Sequence, residues 1–80
     1  MTHEHWSIAD GLQLQALMTS LQLDDWQIAQ ANALSVHQVR ELLSGVQVGK
    51  ASNFYSERIK RHAGQQLLER LGNGGGSNAG

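Results

Sequence analysis

Val36, His37, Gln38 and Arg40 place four side chains able to read base pairs within five residues. A glutamine amide bonds bidentately to adenine, a guanidinium to O6 and N7 of guanine, and a valine touches the thymine methyl. An imidazole donates to a base or phosphate, more strongly when protonated. The same four side chains would also make an ordinary solvated helix face. Arg58, Lys60 and Arg61, with Tyr55 nearby, form the densest basic cluster in the chain. Such a cluster either grips phosphates or faces water. Glu57 and Arg61 stand at i, i+4, the spacing of a modest surface ion pair. His3 and His5 flank Glu4; in an extended segment both imidazoles would point the same way and could weakly hold a metal, but a floppy terminus explains them and no metal site is expected. There is no phosphate-cradling glycine loop, no H-E-x-x-H and no nucleophile elbow, and the chain is too short to close a cleft around a sizeable substrate. Neither enzymatic activity nor a cofactor is expected.

The elements that would position these groups are helical. Residues 23–45, LDDWQIAQANALSVHQVRELLSG, read as two short helices joined by a tight turn. Asp24 or Asp25 can cap the first by accepting free N–H groups, and Ser35 can cap the second. Ile28 and Ala29 face inward, and Val36, Val39, Leu42 and Leu43 recur at helical spacing. Gly45 stops the second helix. Before this pair, residues 7–21 read as a first helix with Ile8, Leu12 or Leu14, Leu17, Met18 and Leu21 on one stripe, Gly11 weakening its start. After it, residues 44–52 read as a loop and 53–71 as a long closing helix. Its apolar stripe is Tyr55, Ile59, His62 or Ala63, Leu67, Leu68 and Leu71; its cap is Ser52 or Asn53, and Gly64 implies a close contact or a bend. Trp6 is expected at the core's edge. Trp26 is expected at the core or its edge, with an exposed anchor for a partner protein as the alternative.

Composition supports one small, all-α domain. Eighty residues allow a single modest core, stabilised further if the chain dimerises. There is no Cys and no Pro, and no apolar run is long enough to span a bilayer. The first residues, MTHEHWS, lack the flanks of a signal peptide, so a cytoplasmic location is expected. We divide the chain into a flexible segment 1–6, a domain 7–72 and a flexible Gly-rich tail or linker 73–80. The net charge of −1 argues weakly against a nucleic-acid partner. Its distribution argues the other way: residues 1–34 hold four acids and no Lys or Arg, whereas residues 35–80 hold six bases and three acids.

The spacing of Leu23, Asp24 and Asp25, Ile28 and Ala29, the turn 31–33, Leu34 and Ser35, Val39, Leu42 and Gly45 resembles the lambda repressor/Cro-type helix-turn-helix. The match is strict over roughly the middle third of the chain and loose over most of residues 8–71. It implies a compact four- to five-helix, lambda-repressor-like domain whose second motif helix enters the major groove of double-stranded DNA, probing bases with Val36, His37, Gln38 and Arg40. Ser35, Lys50, Arg58, Lys60 and Arg61 would then meet phosphates, a homodimer would supply a second half-site, and the role would be transcriptional regulation. Three positions depart from the family pattern. Ala33 stands where the family favours Gly, which costs about 1 kcal/mol if φ is positive there. Asn32 replaces an apolar residue, and Asp25 replaces a Gln that often meets a phosphate.

LSVHQV, followed by a closing helix beginning FYSERIKRHAG, is also similar to the N-terminal helix-turn-helix of RodZ-type bacterial morphology proteins. That resemblance implies a module that binds a cytoskeletal filament, not DNA, using Trp26, Tyr55 and the closing helix, with the Gly-rich linker leading towards a membrane anchor. A third reading is a small adaptor with Trp26 and Tyr55 as its contact patch. Fold alone does not choose among them.

Overall fold

Ser7, Asp24 and Ser35 each sit in extended backbone and each open a helix through a reciprocal pair of hydrogen bonds. In every case the cap side chain accepts the backbone N–H three residues on, and the side chain of that third residue accepts the cap's own N–H. The partners are Ser7 with Asp10, Asp24 with Gln27 and Ser35 with Gln38. The computed structural model describes residues 5–46 and 51–74. Among them are four helices and no strand: α1 (Ile8–Leu21), α2 (Asp25–Ala31), α3 (Val36–Ser44) and α4 (Glu57–Gly74).

The helix ends follow from backbone handedness. Gly45 caps α3 at φ 78° and bonds its N–H to the Glu41 carbonyl. Gln22 closes α1 at φ 59°, and Ala33 turns the chain between α2 and α3 at φ 57°. Both carry a Cβ in the left-handed region, so each stores backbone strain.

α1 packs on α3 and α4, and α2 packs on α3. The core is Trp6, Leu14, Met18, Ile28, Ala29, Val39, Leu42, Phe54 and Leu67. Two glycines permit close approaches within it. A Cβ on Gly11 would lie 2.5 Å from the Leu43 carbonyl oxygen, so α1 and α3 cross almost backbone to backbone there. A Cβ on Gly64 would collide with the Trp6 ring. Trp6 thus lies well inside the core's edge, flat on α4, with its indole N–H donating to the Leu42 carbonyl at 2.7 Å. The Cα radius of gyration is 12.2 Å, near the roughly 12 Å of a compact folded chain this long.

Several expectations shift. α4 begins at Glu57, four residues later than the periodicity indicates, because Ser56 accepts the Ile59 N–H at 3.2 Å and thereby caps it. Ser52 and Asn53 serve another purpose, described below. Tyr55 therefore lies outside the helix and off its apolar stripe. On α1 the inward residue is Leu14; Leu12 and Ile8 face solvent. No helix among the described residues is long and apolar enough to cross a membrane.

Candidate nucleic-acid interface

α3 presents its outer face through His37, Arg40 and Ser44, which share one side of the helix and are exposed. Val36 stands at the rim, partly packed against the core. Of the four residues expected to read bases, His37 and Arg40 point away from the protein body and Val36 does so in part. Gln38 does not: its Oε1 accepts the Ser35 N–H at 2.9 Å and its Nε2 donates to the Asn53 carbonyl at 3.0 Å. Both ends of the amide are occupied, so bidentate adenine recognition would require breaking the cap of α3.

Arg40 is exposed but not free. Its Nε donates to Asp25 Oδ2 at 2.8 Å, tying α3 to the first turn of α2. That hydrogen bond, with the guanidinium's charge and nearby backbone N–H groups, holds the Asp25 carboxyl below its usual range against the opposing effect of burial. Asp25 is therefore not a bare anion at the interface: Arg40 neutralises it.

The phosphate set divides more sharply. Ser35 is the α3 cap and remains exposed, its hydroxyl oxygen accepting the Gln38 N–H at 3.0 Å. Lys50 lies outside the described residues, as do Gln47, Val48, His3 and the end of the Gly-rich tail. Lys60 is a correction. The residue is buried, 2 % exposed, and its Nζ stands 3.2 Å from Oε2 of Glu41, itself 0 % exposed. An ammonium enclosed in the core and paired with a carboxylate has no route to a phosphate.

Arg58 is exposed and Arg61 half-buried. Both line a pocket with His5 and Glu57. Neither lines the separate groove, about 420 Å³, formed by Gln38, Ser52, Asn53, Phe54, Tyr55 and Ile59 beside α3. Ile59 and Arg61 are two residues apart on α4 and so point about 200° apart around its axis. Arg61 is thus on the far flank of α4 from the Gln38 side of α3, and Arg58, about 100° from Ile59, stands between Ile59 and Arg61 on the side of Arg61. The expected Glu57–Arg61 ion pair is absent among the described residues; Glu57 Oε1 instead faces His5 Nδ1 at 3.8 Å.

Glu41, the one acid of α3, would be repelled by DNA if it faced outward. It is turned inward, where its carboxylate accepts from the Asn53 backbone N–H at 2.7 Å, the Ser52 hydroxyl at 2.8 Å and Asn53 Nδ2 at 3.3 Å, besides Lys60. Burial pushes this carboxyl up, but those donors and the ammonium outweigh it and hold it below its usual value. No buried side-chain nitrogen or oxygen among the described residues lacks a partner. One signal was available: Lys60 falls on the same helical stripe as Gly64, Leu67 and Leu71, where a charge needs a buried counter-charge.

The two aromatic residues expected as partner contacts are both open to solvent. Trp26 is 53 % exposed on α2, at neither the core nor its edge but in the exposed position that stood as the alternative, and Tyr55 is 96 % exposed at the mouth of the groove beside α3. Compared with known proteins, the chain matches no family model, no curated protein and no solved structure.

Proposed function

We propose that this domain binds double-stranded DNA by laying α3 in the major groove, as a helix-turn-helix of the lambda repressor/Cro type built from α2, the turn through Ala33 and α3, and that it acts in transcriptional regulation. The observation that carries the reading is the outer face of α3. It is uncovered, it holds His37 and Arg40 with Val36 at its rim, and its only acid, Glu41, is turned inward and neutralised. The contact set is correspondingly smaller than the sequence implies: Val36, His37 and Arg40 towards bases, with Ser35 and Lys50 towards phosphates. On this reading Gln38 orients α3 and does not read a base. Two copies would meet two half-sites.

The test is an amide-shift titration of the labelled chain with a mixed-sequence duplex at low salt, repeated at high salt. Shifts concentrated on residues 35–40 and 44 that weaken as salt rises are expected. Unshifted α3 amides at low salt would overturn the reading. The exposure of Trp26 and Tyr55 favours a second one, a protein-interaction module of the RodZ type. There Trp26→Ala would abolish partner binding, and duplex DNA would leave every amide in place.

A further inference from the structure

We infer that the pocket formed by His5, Glu57, Arg58 and Arg61 is a separate binding site for a phosphate group, distinct from anything α3 would hold. The pocket encloses about 310 Å³, and every residue lining it is ionisable. Arg58 and Arg61 are three apart on α4, so their side chains rise from one face of the helix. Among the described residues neither guanidinium has an ion-pair or hydrogen-bond partner; the one carboxylate at hand, Glu57, faces His5. Two like charges at this spacing repel one another unless an anion bridges them.

The site is held in place from both sides. On one side α4 supplies the arginines from its first two turns, with Lys60 between them locked into Glu41. On the other, His5 precedes Trp6, whose ring lies on Gly64 and whose indole N–H bonds to the Leu42 carbonyl at 2.7 Å. The buried Trp6 fixes where the chain carrying His5 passes over α4.

The chemistry selects phosphate. A planar carboxylate is satisfied by a single guanidinium fork, whereas a tetrahedral phosphate has oxygens enough for two forks at once and for a histidine donor besides. Glu57 would repel the anion, but two fixed positive charges oppose that one negative charge. The phosphate comes either from a free ester or from a nucleic-acid backbone. The proposal does not rest on DNA binding by α3, because the pocket lies on the other flank of α4.

The experiment is a titration of the labelled full chain with inorganic phosphate at constant ionic strength, with chloride exchanged for phosphate. Backbone amides of residues 57–61 and the arginine Nε–H signals are followed. Saturable shifts at Arg58 and Arg61 are expected. In the R58Q/R61Q double variant affinity falls about tenfold or more, the worth of one or more charge-assisted hydrogen bonds, while the urea midpoint is unchanged. Shifts that grow linearly, or that saturate equally in R58Q/R61Q, would overturn the site. Two further arms identify the source: a nucleoside monophosphate that outcompetes a short duplex at these signals marks a free ester, and the reverse order marks a backbone phosphate. The duplex arm in R58Q/R61Q also separates the two proposals. Retained α3 shifts there support groove binding whatever becomes of the pocket, and saturation by phosphate supports the pocket whatever becomes of α3.

Discussion

Replacing Lys60 with Met tests whether α3 is held by a buried charge. The methionine keeps most of the apolar stem and deletes the ammonium, leaving the Glu41 carboxylate 0 % exposed without its one counter-charge among the described residues. Breaking one partner of a buried pair costs about 3–5 kcal/mol. Here three neutral donors remain on Glu41, from Ser52 and Asn53, at 2.7 to 3.3 Å, so the lower end, about 3 kcal/mol, is expected. A domain this size has roughly 4–12 kcal/mol in total, so the loss is large and readable by urea unfolding followed through tryptophan fluorescence, in which the buried Trp6 changes surroundings. The E41Q/K60M double variant separates lost charge pairing from damaged packing. Its amide oxygen can still accept from the Asn53 N–H and its NH₂ can donate to the Ser52 hydroxyl. Stability should return to within about 1–2 kcal/mol of the parent chain. A loss below about 1 kcal/mol in Lys60→Met, or a double variant as unstable as the single, would refute the argument.

The same network predicts a pH dependence whose sign follows from the direction of the Glu41 shift. Its folded-state carboxyl lies below the unfolded value. Its contribution is therefore fully present above the usual glutamate range and is lost as pH falls through the folded value. Without Lys60 the folded value rises, so unfolding of Lys60→Met should begin at a higher pH. Superimposable acid limbs for the two proteins would contradict this.

Relieving the strain at Ala33 gives an opposite-signed test: Ala33→Gly, at φ 57°, should stabilise by about 1 kcal/mol, or roughly 4–8 °C in melting temperature, and an unchanged or lowered melting temperature would count against a left-handed turn. Gly64→Ala forces a methyl into the Trp6 ring; a loss of about 1–3 kcal/mol is expected, with red-shifted Trp6 emission when read in a Trp26→Phe background that removes the second tryptophan, and unchanged emission there would mean that Trp6 does not sit on Gly64. Asp25→Asn removes the anion that occupies Arg40. If α3 enters DNA, duplex affinity should rise and its salt dependence steepen, and weaker binding would mean that the pair positions Arg40 productively.

What was legible in the sequence was local. Ser35 and Gln38 are three residues apart, as are Asp24 and Gln27, so the starts of α2 and α3 could be read from their caps. Gly45 likewise marks the end of α3 by its own backbone freedom. What was not legible depended on distant partners. Ser52 and Asn53 have the propensity of helix caps, but a carboxylate eleven and twelve residues upstream takes their donors. That displaces the start of α4 to Glu57 and leaves Tyr55 stranded in solvent. Gln38 looked free because it precedes Val39 on a polar stretch; the Asn53 carbonyl, fifteen residues away, claims its amide. Trp26 was expected at the core or its edge, yet α2 is already buried through Ile28 and Ala29, and a seven-residue helix has little more face to hide.

Buried contacts from α1, α4 and the segment before α1 converge on α3 from its inner side. Val39, Glu41 and Leu42 are sealed beneath it, Gly11 brings α1 against its last turn, Trp6 bonds to the Leu42 carbonyl, and the Ser35–Gln38 box fixes its start. The outer face takes part through the exposed Asp25–Arg40 pair and through the Ser44 hydroxyl, which bonds locally to the Glu41 and Val46 carbonyls. Rigid support below and weak commitment above is the division that a recognition element needs, because contact residues can then vary without unfolding what carries them. It follows that His37→Ala, at an exposed position outside every hydrogen bond described above, should change stability by no more than about 0.5 kcal/mol. If α3 is the reading helix, the same change should weaken duplex binding in a sequence-dependent way. A His37→Ala protein that unfolds early would show that the outer face bears on the fold after all. One that keeps both its stability and its full duplex affinity would remove His37 from the interface and leave recognition to Val36 and Arg40.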